Sequence, residues 1–242
     1  TFDIIINEVV KQGNGNIFGM IGLGSQNDIV KEFGVDSLEK ACSAIKSREI
    51  KQVDLGILTA DNFDSLYFLG TASLGLGTTV NRYIKNLKRY PIPEKLLVIS
   101  AIFGIHNSYS SREVPIPLTL KYDNIAFTDD LSLVVFTNTS FYAGGKKPNP
   151  DATPYDGLLD CCCINSASFY KFLEVCSLIL QGKHAAEKGI KLIKASQFRI
   201  LSETGVEIQT DGEVKGPYRD INLSVKPKAL KVIVNPTYIG NK

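Results

Sequence analysis

Three stretches of this sequence hold residue types suited to phosphate or proton chemistry. Gly22, Gly24 and Ser25 stand between an apolar run, residues 17–21, and a helix-like run, residues 29–33. Small residues at such a step let backbone N–H groups approach a phosphate, and a helix N-terminus adds partial positive charge. Ser25 offers a hydroxyl donor, and Asn27 or Asp28 can cap the helix. A plain strand-to-helix turn explains the same glycines. Asp211-Gly212-Glu213 joins the alternating runs 206–210 and 221–225, and Asp-Gly there is a hairpin signal. On a rigid turn at a cleft edge, Glu213 could act as a general base; otherwise the three residues are simply the hairpin. Gly144, Gly145 and two prolines lead into residues 153–160, where Asp156 could ligate a cation beside nearby carbonyls. A long loop entering a strand accounts for that segment equally well. Asp54 reads as a catalytic carboxylate or, more simply, a solvated or capping one. His106 and His184 have no partner at catalytic spacing.

The elements that must carry these residues change character along the chain. Residues 3–10 read as the end of a strand running into a helix, and 17–21 as a short strand of the parallel, buried kind. A short helix over 29–33 ends at Gly34. Asp36 or Ser37 then caps a helix whose apolar face is Leu38, Ala41, Cys42 and Ile45. From about residue 53 short strands dominate: 53–59, 67–73, 118–122, 131–138, 157–164, 191–195, 198–202, 206–210, 221–225 and 229–234. Helical insertions are expected at 81–88 and 166–181. So many strands bounded by Gly, Pro and Asp turns favour a sandwich or barrel over repeated βαβ units. The expected fold is therefore α/β plus all-β: residues 1–52 as a partial α/β unit, residues 53–242 as a β-sandwich with helical insertions.

Charge and composition narrow the partners. The 242 residues include 27 basic and 25 acidic side chains, a net +2, too balanced to suggest nucleic acid. The longest apolar run, 96–105, is half the ~20 residues of a membrane span, so membrane contact would be peripheral. No secretory leader pattern is legible at the start. Cys161, Cys162 and Cys163 are consecutive, poor geometry for separate disulfides, and no paired spacing suggests zinc. They read as small buried residues in a reducing cytoplasm, with Cys161 and Cys163 on one face of a strand and Cys162 on the other.

Taken together, five collinear segments resemble the diacylglycerol kinase-like lipid kinase family, the bacterial soluble and YegS-type group. Residues 3–34 resemble the pattern GGDGTxNEVV…PLGTxNDFARxLG. Residues 53–56 with 68–80 resemble DLG…FxNxASxGxGxxV, and 138–160 resemble NG…GGG…xPxAxxxDGLLD. Residues 182–200 resemble GKH…V…RAxxxRI, and 210–213 with 227–232 resemble VDGEP…PxALxV. The resemblance implies transfer of the ATP γ-phosphoryl group to the hydroxyl of diacylglycerol or a related lipid at a membrane surface. It also implies an N-terminal nucleotide domain, a C-terminal sandwich, and ATP and Mg2+ as cofactors. By position Glu213 matches the catalytic glutamate. Asp3, Asn7, Gly24, Ser25 and Asn27 fall in the nucleotide-binding motifs. Thr153, Asp156 and Leu158 match a magnesium site with two backbone carbonyl ligands.

Against that pattern the chain reads as N-terminally truncated, beginning within the nucleotide half. Its GGDGT is degenerate, standing as Thr1-Phe2-Asp3-Ile4-Ile5. Isoleucine disfavours the φ > 0 geometry that glycine permits, and its side chain keeps phosphate off the backbone. The expectation is a lipid kinase whose ATP site is weakened in this chain. The alternative is a non-catalytic lipid-binding or regulatory relic. A homodimer through the sandwich is compatible with either.

Overall fold

The computed structural model describes residues 2–13, 15–22, 27–87 and 93–236. Two long strands organise everything else. β2 (Ile50–Ala60) and β11 (Glu213–Ile233) run antiparallel, from Ile221 opposite Ala60 to Ile233 opposite Ile50. The pairing slips between Lys226 and Leu230, where Lys228 takes φ +52°. Such a bulge frees backbone groups that need other partners. Asp54 supplies one: its Oδ1 accepts from Lys228 N at 2.7 Å.

Around this pair the sheet runs β3 (Phe63–Phe68), β2, β11, β10 (Gln197–Thr210), β4 (Thr71–Gly75), β7 (Leu133–Thr137), β8 (Leu159–Ile164) and β9 (Ile190–Ala195). β5 (Ile116–Tyr122) joins β10 to β6 (Ile125–Leu131), and β1 (Ile17–Phe18) lies parallel to Lys231–Val232 of β11. All other pairings are antiparallel among the described residues.

Three cores follow from strand alternation. Leu58, Phe68, Leu74, Phe136, Cys161, Cys163, Phe198 and Ile208 point into the main one, which the sheet encloses by folding over on itself. Leu133, Val135, Cys162 and Ile164 point the other way, onto the helices α4 (Leu76–Leu87), α5 (Glu94–Ser110) and α6 (Phe169–Leu180). β7 and β8 are therefore buried on both faces, which explains why the Cys161–Cys163 run is uniformly apolar in character. The third core lies at the other end of β2 and β11. There Val53, Leu55, Leu230 and Val232 meet Ile6, Met20, Phe33 and Ala41. These last come from α1 (Phe2–Gln12), α2 (Asp28–Glu32), α3 (Leu38–Ser47) and the segments between them.

Several elements differ from expectation. Residues 3–6 are helix, with Ile6 and Asn7 inward and Ile4 and Ile5 in solvent, a helical rather than alternating pattern. Ser37 does cap α3, accepting from Lys40 N, but the helix buries Ala41 and Ala44 while Leu38, Cys42 and Ile45 are exposed. Small residues bring the helix close to its core. The run 67–73 is two strands parted at Leu69 and Gly70. The runs 198–202 and 206–210 are one strand with a bulge, as are 221–225 and 229–234. β6 and α5 have no counterpart among the expected elements.

Candidate active site

The Asp211-Gly212 turn between β10 and β11 has positive φ at both residues, +43° and +96°. That geometry suits a two-residue hairpin, and Asp tolerates it because its short side chain can hydrogen-bond locally. Here the side chain reaches further. Its Oδ1 accepts from Gly70 N (2.9 Å) and Thr71 N (2.8 Å), and its Oδ2 from Leu69 N (2.8 Å). Asp211 N donates to Thr71 O at 2.9 Å. The break between β3 and β4 is thus the receptor for the hairpin tip. Burial pushes the Asp211 carboxyl up, and the three amides oppose that rise.

The other side of the turn is held by α4 and β10. Asn81 Nδ2 donates to Gly212 O (2.7 Å) and to Gln209 Oε1 (3.1 Å), which also accepts from Gly212 N (2.9 Å). Glu213 emerges from this clamp half-exposed, with Lys85 Nζ 2.7 Å from its Oε2. The bonded Lys85 ammonium holds the Glu213 carboxyl below its ordinary value. A fixed, ionised, accessible carboxylate can accept a proton from a hydroxyl brought against it.

Gly70 also brings α2 to this place. A Cβ on Gly70 would lie 2.7 Å from Asp211 Oδ1 and 3.2 Å from Ile29 Cγ1, so both elements close on one glycine. Glu32 and Asp28 fasten α2 from the opposite side. Buried Glu32 accepts from Ser140 N (2.9 Å) and Ser140 Oγ (2.7 Å), and Asp28 Oδ2 accepts from Gly144 N (2.8 Å). Asn138 links this loop to the strands, donating to Asp54 O (2.9 Å) and Leu69 O (2.8 Å). The first turn of α2, the Gly70 break and the 211–213 turn therefore meet at one polar edge.

The residues singled out from sequence divide accordingly. Asn27, at φ +51° and making no side-chain cap bond, precedes α2 near this edge. Gly24 and Ser25 lie outside the described residues, as does the side chain of Asp3. Asn7 clips α1 to β3, donating to Tyr67 O (2.9 Å) and accepting from Tyr67 N (2.8 Å). Asp54 is a buried structural carboxylate, accepting from Gly157 N at 2.7 Å as well as from Lys228 N.

The turn holding Thr153, Asp156 and Leu158 leads into β8. Asp156 Oδ1 accepts from Leu158 N (3.0 Å), and its Oδ2 takes the Lys194 ammonium at 2.9 Å. The same ammonium lies 3.3 Å from Asp160 Oδ2. Lys194 thus lies between the Asp156 and Asp160 carboxylates. The groups that sequence reasoning passed over, Lys85, Asn81, Gln209, Asn138 and Glu32, lie 69 to 131 residues from their partners in five of the contacts above. No local spacing signals them.

Among known families, the YegS C-terminal NAD kinase beta sandwich-like domain matches residues 70–234, more than half of the chain. The chain belongs to that family. Curated relatives of this family member include the diacylglycerol kinase of Bacillus subtilis (strain 168), 24% identical over 232 residues, 92% of this chain and 72% of that one. The diacylglycerol kinase of Mycobacterium tuberculosis (strain CDC 1551 / Oshkosh) is 28% identical over 218 residues, 89% of this chain and 68% of that one. The crystal structure of a diacylglycerol kinase from Bacillus anthracis str. Sterne aligns with TM-score 0.59 at 18% identity, over 89% of this chain and 65% of its own. A second chain from that organism aligns with TM-score 0.66 at 22% identity, over 88% and 68%. At those identities the structural likeness speaks for the fold, and the curated relatives for membership in a kinase family.

Proposed function

We propose that this chain belongs to an ATP-dependent lipid kinase acting on the hydroxyl of diacylglycerol or a related lipid at a membrane surface. The observation that carries this reading is Glu213, ionised and accessible on a turn clamped by Asp211, Asn81 and Gln209. In the step, the lipid hydroxyl gives its proton to Glu213 as its oxygen bonds to the γ-phosphorus and the bond to the ADP oxygen breaks. Mg-ATP, when bound, supplies the phosphoryl group with its charge screened. Lys85 orients Glu213 and keeps it ionised. Ser25 and Asn27 are proposed to meet the nucleotide phosphates.

A specific observation favours the second reading, a lipid-binding relic. Asp3, Ile4 and Ile5, which take the place of a glycine-rich phosphate turn, lie in a regular helix, with Ile4 and Ile5 exposed. Phosphorylation of diacylglycerol in detergent micelles, with wild type beside Glu213→Ala, decides between them. The kinase reading expects turnover that falls about 10²–10⁴-fold in the variant. It fails if the full-length wild-type protein shows no turnover and no calorimetric binding of Mg-ATP.

A further inference from the structure

A cavity of about 210 Å³ opens where the end of α1 meets the bulge of β11. The last turn of α1, the turn at Gly15 and Asn16, and Gln52 of β2 form one side, and Lys226, Lys228 and Lys231 form the other. Regular alternation would set Lys231 on the face opposite Lys226 and Lys228. At the bulge, which Asp54 fixes through Lys228 N, all three border the same space.

This convergence of charge has no internal partner. No acid lines the cavity, and none of the three ammonium groups is ion-paired among the described residues. Lys226 lies over the Tyr67 ring at 5.1 Å, a contact that positions the cation without neutralising it. The carbonyl end of α1 draws positive charge, but Lys11 already stands in that last turn. Like charges held around one space repel, and an anion between them removes that cost.

The neighbouring residues suit such an anion. A Cβ on Gly13 would meet nothing within 4 Å, and one on Gly15 would sit 4.0 Å from Lys231 Nζ, so the glycines leave the space open. Asn16 and Gln52 add side-chain amides, which donate to oxyanions. Pockets for drug-sized ligands run to about 300–1,000 Å³, so this cavity fits a smaller group. A phosphate monoester carries close to two negative charges at neutral pH and three acceptor oxygens, a match to three ammonium groups that a single carboxylate lacks.

We propose that this cavity binds a phosphate monoester between Lys226, Lys228 and Lys231. It lies at the end of α1 opposite Asp3, a helix length of roughly 16 Å away, and shares no lining residue with the Glu213 turn. The site therefore does not rest on the kinase reading. The monoester has two sources, a free phosphorylated small molecule or a phospholipid headgroup.

Calorimetric titration of the full chain with glycerol 3-phosphate tests the first source. Flotation with phosphatidylcholine vesicles, with and without phosphatidic acid, tests the second. Binding by wild type is expected in at least one arm. Lys228→Gln/Lys231→Gln keeps the backbone bonds of β11 and should bind about tenfold or more weakly there. Gly15→Asp places a carboxylate beside Lys231 and should weaken binding as strongly without removing any lysine. Lys183→Gln/Lys188→Gln removes equal charge elsewhere and should bind like wild type. The proposal falls if wild type binds in neither arm, or if the cavity double variant or Gly15→Asp binds as wild type does. It also falls if the two lysine pairs lose binding equally, which makes the attraction one of diffuse charge.

Discussion

Replacing Asp211 tests whether the hairpin tip is held by its carboxylate rather than by the strands that flank it. Asp211→Ala leaves the N–H groups of Leu69, Gly70 and Thr71 without their acceptor. Each such group costs about 1–3 kcal/mol when it stays dry, and alanine adds strain at φ +43°. Partial relaxation of the break brings the expected loss to about 3–5 kcal/mol, a large share of a domain's stability. Asparagine separates the terms. It tolerates the left-handed backbone and keeps an acceptor for Gly70 and Thr71, but turns an NH2 toward Leu69 N. Its cost should be about 1–3 kcal/mol. Urea unfolding followed by circular dichroism, with the slope unchanged, measures both. An Asp211→Ala loss under about 1 kcal/mol, or an asparagine variant as damaged as alanine, refutes the argument.

Other perturbations read different parts of the structure. Gly56→Ala puts a Cβ 2.1 Å from Phe68 Cζ in the main core, and urea unfolding should show a loss of about 3 kcal/mol as the ring is displaced. Lys85→Met should move the Glu213 titration, followed by carboxyl-carbon NMR, up toward the ordinary glutamate value. The pair is exposed, so its contribution to stability is under about 1 kcal/mol, present above the unfolded pKa and lost as pH falls through the lowered folded value. Asp160 behaves oppositely. Burial pushes its carboxyl up to about 6 against the pull of Lys194, so the folded state holds the proton at pH values where the unfolded chain has lost it. Stability from this group should rise by about 1 kcal/mol as pH falls from ~7 to ~5, and Asp160→Asn should abolish that slope in urea melts.

Much of the sheet was legible because its strands alternate or carry β-branched runs between turn residues. The Asp-Gly hairpin was visible for the same reason. What escaped shows where local pattern stops. β10 and β11 read as pairs of short strands because bulges after Leu201 and Lys226 break the alternation without ending the strand. α5 is apolar around most of its circumference, so no period marks it as amphipathic. In α3 the more hydrophobic stripe lost to the smaller one, since Ala41 and Ala44 permit closer approach than Leu38 or Ile45. Glu213 could be named from sequence, but the groups that hold it could not. Lys85 reaches Glu213, and Asn81 reaches the adjoining Gly212, across more than a hundred residues.

The placement of β11 between β2 and β10 has a consequence for biosynthesis. The hairpin of β2 and β3 emerges from the ribosome with one edge bare, and its partner is made some 160 residues later. At ordinary translation rates that delay lasts on the order of ten to thirty seconds. Through that interval the two halves of the sheet share no strand, and the aliphatic edge of β2 is open to pairing with other nascent chains. β11, the last strand among the described residues, fastens the two halves of this sheet, so in cells the yield of folded protein should depend on chaperone protection during elongation as much as on final stability.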